Sequence, residues 1–158
     1  MDNSTTPIPV NGASGGSAAT EPIDVVRGFL RALEELDIDR ALTFTSDDIT
    51  YQNVPLRPAR GRAEFEKQMR AMARYGTGFE AVIHHIAASG DTVLTERTDA
   101  LEAHRFRAEF WVCGTFEVRE GKILLWRDYF DWPTVTVATA KGAVRAAVGA
   151  VTARFGKR

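Results

Sequence analysis

The sequence predicts an α+β domain: a few helices near the N-terminus, then long antiparallel strands that wrap into a strongly curved, cone-like sheet with a pocket at its open end. Three observations carry this. Apolar residues before position 76 recur at helical spacing, with Ile23, Val26, Leu30 and Leu33 on one stripe. From Phe79 onward, four runs read as strands: Phe79 to Ala88, Thr92 to Ala103, Phe106 to Arg119, and Lys122 to Tyr129. Ser89-Gly90-Asp91 and Glu120-Gly121-Lys122 are the turn signals that join strands into hairpins. Helices first and strands later place the helices on one side of a single sheet.

The elements follow in order. Residues 1–20 are rich in Ser, Thr, Gly, Pro and Asn and lack an apolar run. Such a segment buries too little surface to offset its chain entropy, so a disordered arm is expected. Residues 21–158 form the single folded domain. Thr20 suits the N-cap of the first helix and Pro22 its first turn. Asp37 caps a short second helix carrying Ala41, Leu42 and Phe44. Phe65, Met69 and Met72 mark a third, ended near Gly76 and Gly78. These stripes read as core, with some Met and Phe available to line an apolar pocket. At the C-terminus, Val144, Val148, Val151 and Phe155 fall at spacings of four, three and four, which predicts a closing amphipathic helix weakened by Gly142 and Gly149.

Bulk properties exclude several function classes. A chain of 158 residues suits one domain with a substantial core. The formal net charge is −1 and the basic residues are scattered, so nothing favours nucleic acid or an anionic membrane surface. No stretch approaches the ~20 apolar residues of a membrane span. The N-terminus lacks the features of a signal peptide. Cys113 is the sole cysteine, which excludes an internal disulfide and suits a reducing, cytoplasmic setting. In the strand Phe110 to Phe116 it reads as a packed, inert thiol.

The chemistry is concentrated where half-buried strands carry polar residues. Side chains two apart on a strand share a face. Tyr51 and Asn53 are two apart, and so are Arg97 and Asp99. Arg97 and Asp99 share their face with Val93 and Leu101, and Asp128 shares its face with Leu124, Trp126 and Phe130. If these faces converge, one pocket holds two carboxylates, a guanidinium, a phenol and an amide. An arginine bridging Asp99 and Asp128 fixes both and favours their charged forms, while burial favours a neutral acid. Carboxyl groups whose environments drive their pKa values apart serve as acid and base. Raising an Asp from ~3.9 to about 7 costs roughly 4 kcal/mol. A buried salt bridge with an architectural role alone fits the same spacing. Tyr51 and Asn53 could hold a water with a carboxylate base, or could be a core tyrosine and a chain-turning asparagine before Pro55.

Other signatures are absent. His84 and His85 are adjacent, so on a regular strand they face opposite sides and cannot ligate one metal; either could line the pocket. His104 lies near the turn after Ala103. There is no metal-binding spacing, no G-x-S-x-G elbow, no Walker loop and no dinucleotide fingerprint, so neither metal nor cofactor is expected.

Three segments together resemble the limonene-1,2-epoxide hydrolase family: Tyr51-Gln52-Asn53-Val54-Pro55-Leu56, then Thr95-Glu96-Arg97-Thr98-Asp99, then Trp126-Arg127-Asp128-Tyr129-Phe130-Asp131 after Gly121-Lys122-Ile123. The likeness covers roughly residues 22 to 135, with no clear match in the N-terminal arm or after Thr134. It implies a nuclear-transport-factor-2-like fold: a strongly curved mixed sheet packed by helices, a deep apolar pocket and a homodimer. It also implies roles. Asp128 takes a proton from the attacking water, which Tyr51 and Asn53 hold. Asp99 protonates the epoxide oxygen, and Arg97 lies between the carboxylates. The implied partners are a small apolar epoxide, terpenoid or lipid-like, and water; the apolar pocket residues differ from the family's, so the namesake terpene need not be the substrate. Two other classes stand beside this one. An isomerase or cyclase on the same fold relies on one acid or base with an oxyanion donor. A non-catalytic binder of apolar ligands gains nothing from two buried carboxylates.

Overall fold

The computed structural model describes residues 21–133, 135–137 and 139–144. The disordered arm expected at 1–20, including Thr20, lies outside the described residues, as do Val148, Gly149, Val151 and Phe155. Three helices precede or flank the first strands: α1 (Pro22–Glu34), α2 (Ile38–Thr43) and α3 (Arg62–Tyr75). Six strands follow the chain as β1 (Thr45–Val54), β2 (Ala59–Arg60), β3 (Gly78–Ser89), β4 (Thr92–Ala103), β5 (Phe106–Arg119) and β6 (Lys122–Phe130). They form one curved, unclosed sheet in the order β2-β1-β6-β5-β4-β3. The sheet is mixed. β1 runs parallel to β6, and every other pairing is antiparallel.

Local sequence explains most boundaries. The N-cap of α1 is Glu21 rather than Thr20, with Pro22 opening the first turn, where its missing N–H is no loss. Asp37 caps α2 by accepting a hydrogen bond from the Arg40 amide at 3.0 Å. Phe44 sits just beyond α2 as its C-cap rather than within the helix. Gly76 ends α3. The β5–β6 hairpin turns on Glu120 and Gly121, both at positive φ (50° and 73°). That pair of left-handed residues is the two-residue turn whose twist matches the strands. Strands β3 to β6 start and end within a residue of the expected positions because alternation and turn residues agree there. The long-range pairing of β1 with β6 is what local patterns do not carry. Beyond β6, residues 132–133, 135–137 and 139–144 are helical. Trp132 anchors this segment by donating from Nε1 to the Val54 carbonyl at 2.7 Å. Of the expected apolar stripe, the described member Val144 is exposed.

The core lies between the helices and the inner face of the sheet. α1 buries Val25, Val26, Phe29, Leu30, Ala32 and Leu33, its predicted stripe extended by one flank. Phe29 meets the Trp126 ring edge-to-face at 5.1 Å and Phe65 of α3 at 6.3 Å. Trp126 also stacks on Phe116 at 5.9 Å and packs on Tyr51 at 4.4 Å. This aromatic cluster joins α1, α3, β1, β5 and β6 beneath the polar site. Phe29→Ala empties its centre and is expected to lower unfolding free energy by about 3–5 kcal/mol, measured by urea denaturation.

Candidate active site

All five polar residues singled out in the sequence meet at one end of the inner face, in two groups that strand register brings together. On the parallel pair β1–β6, Asn53 lies directly beside Asp128 and Tyr51 beside Trp126. Tyr51 and Asn53 share a face and bond each other, Asn53 Nδ2 donating to the phenol oxygen at 2.9 Å. Arg97 and Asp99 stand on β4, two strands from β6, with β5 between them. Arg97 spans that gap. Its Nε and one terminal nitrogen donate to the two oxygens of Asp99 at 2.8 and 3.0 Å. The same terminal nitrogen donates to Asp128 Oδ2 at 2.5 Å.

Two further side chains complete the network, and the sequence assigned a role to neither. Trp126 Nε1 donates to Asp128 Oδ1 at 2.8 Å. Thr95 Oγ1 accepts from the other terminal nitrogen of Arg97 at 3.1 Å. Each stands two residues before a predicted site residue, so the period-two rule already put them on the right face. An amphipathic indole and a strand threonine are common core choices, which masked their role.

The electrostatics follow from burial. Arg97 is 0% exposed, Asp99 3% and Asp128 2%. Burial pushes Asp128 up to about 6, against the Arg97 charge and hydrogen bond, with the Asp99 charge adding to the rise. Burial likewise raises Asp99 despite Arg97, and the Glu34 charge adds to that. For Arg97 burial acts to lower the pKa, but the two carboxylates outweigh it, so the guanidinium stays charged. One cation between two anions leaves a net negative charge in a desolvated place. Holding one proton on the carboxylate pair removes it, and the two titrate as a coupled unit. Burial and the Asp128 charge raise Tyr51, so its phenol stays protonated.

The network forms one wall of a cavity of about 250 Å³. Tyr51, Asn53, Asp99 and Asp128 supply its polar end. Met69 and Met72 of α3, with Phe79, Leu101, Phe110 and Phe130 of the sheet, supply its apolar walls. The stripe residues Met69 and Met72 thus serve core and pocket together. Neither histidine lines this cavity. A bulge in β3 between Ile83 and His85 breaks the alternation, and both histidines reach partners on the outer face. His84 bonds Thr98 at 2.8 Å and His85 bonds Glu96 at 2.8 Å, which corrects the expectation that they face opposite sides. Cys113 is partly exposed, and burial pushes its thiol up, away from the thiolate form.

Two coupled carboxylates beside an apolar cavity can exchange protons with a molecule bound there. The sequence model of the limonene-1,2-epoxide hydrolase catalytic domain matches residues 20–141, which extends the likeness beyond residue 134. The chain is 48% identical over 106 residues to the epoxide hydrolase EphG of Mycobacterium tuberculosis, covering 67% of this chain and 70% of that protein. The structure of an M. tuberculosis LEH-like epoxide hydrolase superposes with a TM-score of 0.77 at 43% identity, over 84% of this chain and 99% of that one. An NTF2-like protein of unknown function from Cytophaga hutchinsonii, 20% identical, shares the fold with a TM-score of 0.59 over 70% of this chain and 89% of its own. A curved mixed sheet of that fold, with two carboxylates joined through a buried arginine, thus belongs to a chain of the limonene-1,2-epoxide hydrolase family, and the enzyme is an epoxide hydrolase.

Proposed function

We propose that this enzyme opens small apolar epoxides to vicinal diols by direct attack of water, with Asp128 as general base and Asp99 as general acid. The observation that carries the reading is the Arg97 bridge, which sets two carboxylates at one end of an apolar cavity beside Tyr51 and Asn53. Water is a poor nucleophile and a neutral epoxide a modest electrophile, so base and acid must act together. Tyr51, Asn53 and Asp128 hold the water. Asp128 takes one of its protons as the oxygen bonds to an epoxide carbon. The carbon–oxygen bond of the ring breaks, and Asp99 delivers its proton to the departing oxygen. The diol leaves with Asp128 protonated and Asp99 ionised, and proton exchange through the coupled pair or solvent restores the start. Each oxygen of Asp99 accepts one hydrogen bond from Arg97, which leaves a lone-pair direction for the proton it must carry. Trp126 and Arg97 take one oxygen each of Asp128 and aim its carboxylate. Direct attack needs no covalent nucleophile, and no residue here is activated as one.

The apolar walls select a hydrocarbon substrate, terpenoid or lipid-like. A cavity of about 250 Å³ lies at the small end of ligand sites. Two carboxylates buried at a desolvation cost argue against a non-catalytic binder, and the full acid–base pair argues against an isomerase or cyclase that needs one such group. No helix among the described residues is long and apolar enough to cross a membrane. We place the enzyme in the cytoplasm as a homodimer. Val82, Leu94, Trp111 and Tyr129 expose apolar surface on the outer face of the sheet, which a second copy would cover.

Asp99→Asn and Asp128→Asn should each leave a folded protein whose kcat is lower by at least about 100-fold, measured on a monocyclic epoxide. Asp128 must be ionised to act, so kcat/KM should fall as pH drops through about 6, and a profile flat between pH 5 and 7 would remove Asp128 as the base. Single turnover in ¹⁸O-water, followed by mass spectrometry, should put label in the diol and none in the protein; label on an aspartate would establish a covalent intermediate instead. Analytical ultracentrifugation should find a dimer, and Trp111→Glu a monomer.

A further inference from the structure

We propose that Gly114, in the middle of β5, is a positioning residue for the reaction, because only a residue without a side chain lets Arg97 cross β5 to Asp128. Neighbouring strands lie about 4.8 Å apart, so β4 and β6 are separated by roughly 9–10 Å. Gly114 pairs with Asp128 on one side and Thr95 on the other, so the three form a row across the sheet. The Arg97 guanidinium lies over that row. A Cβ on Gly114 would stand 2.3 Å from an Arg97 terminal nitrogen, 2.6 Å from Thr95 Oγ1 and 2.9 Å from Asp128 Oδ1. All three atoms belong to one hydrogen-bonded network in a buried place, and none can give way without breaking a bond. Gly114 has no positive φ, so backbone conformation does not demand glycine here. The other inward residues of the same stretch of β5 are the large Val112 and Phe116, and glycine weakens a strand interior. Space for the guanidinium is the remaining reason for it.

The assignment rests on the reading of Asp99 and Asp128 as acid and base, and its test separates the two. The titratable groups that face Asp128 are Tyr51 from β1 and Arg97 and Asp99 from β4, while Cys113 on β5 senses its charge. Among these titratable groups Arg97 lowers the Asp128 pKa, with the Trp126 hydrogen bond a smaller cause in the same direction. Gly114→Ala should therefore raise the pKa of Asp128, read by ¹³C-NMR titration of carboxyl-labelled aspartate with Asp128→Asn as the assignment control. It should also move the acid limb of kcat/KM to higher pH and lower kcat/KM by about 100-fold, as a misplacement of around 1 Å can. A general loss of stability would move neither the titration nor the limb. Wild-type titration with activity within about twofold would overturn the proposal. If Gly114→Ala does not fold, Thr95→Ala/Arg97→Lys with and without Gly114→Ala decides the matter, because those changes remove the two atoms nearest the new Cβ, at 2.3 and 2.6 Å. Equal thermal midpoints with and without Gly114→Ala would support the assignment; loss of the fold only when Gly114→Ala is added would show that β5 itself rejects alanine and overturn it. Should Asp128→Asn keep full turnover while Gly114→Ala still shifts the Asp128 titration, the catalytic reading fails and the placement of Gly114 stands.

Discussion

The structure depends on one buried cation. Arg97 is wholly enclosed, and a guanidinium taken out of water is tolerable only where its donors are met and its charge is balanced. Asp99 meets it side-on through two bonds, Asp128 from across the sheet and Thr95 from its own strand. The reverse dependence is as strong. Without Arg97, two desolvated carboxylates would share one buried place with no cation to favour their charged forms. The arginine thus allows one carboxylate to be ionised and its neighbour to be neutral in the same dry place. A structural salt bridge and an acid–base pair would be made of the same parts here, one buried cation shared by two carboxylates.

The aromatic cluster turns this network into a site. Trp126 serves both, its ring packed among Phe29, Phe65, Phe116 and Tyr51 while its indole N–H aims Asp128. Tyr51 lies on the same ring system and points its hydroxyl toward the polar end beside Asn53. The cluster therefore fixes Asp128 and Tyr51 through the rigidity of close packing rather than through loops. The helix α3 closes the opposite side with Met69 and Met72, whose adaptable side chains suit an apolar guest. Polar groups at one end and hydrocarbon along the walls orient a molecule that has a single polar corner, such as an epoxide.

Much of this was legible in the chain. Strands β3 to β6 follow from alternation and turn residues, both local properties. The pairs Tyr51–Asn53 and Arg97–Asp99 follow from the period of two, as does the placing of Thr95 and Trp126 on the same faces. The exceptions have physical causes. His84 and His85 reach one face because a bulge interrupts the period, and a bulge leaves no firm mark in a single sequence. The cap of α1 fell on Glu21 because Pro22 sets the first turn one residue further on. Gly114 reads as an ordinary weak point in a strand until its neighbours are known.

What the sequence by itself determined is which residues of the site share a face, since side-chain direction alternates along a strand wherever no bulge interrupts it. It thereby settled the composition of each half of the site and, through the order of its motifs, the family. Which faces meet was decided by tertiary structure alone. The parallel pairing of β1 with β6 sets Asn53 beside Asp128 across a separation of 75 residues, and the insertion of β5 between β4 and β6 makes Arg97 reach over Gly114. Those contacts depend on strand order and register, which are set by the packing of the whole sheet against α1 and α3 and by no local pattern within any one strand.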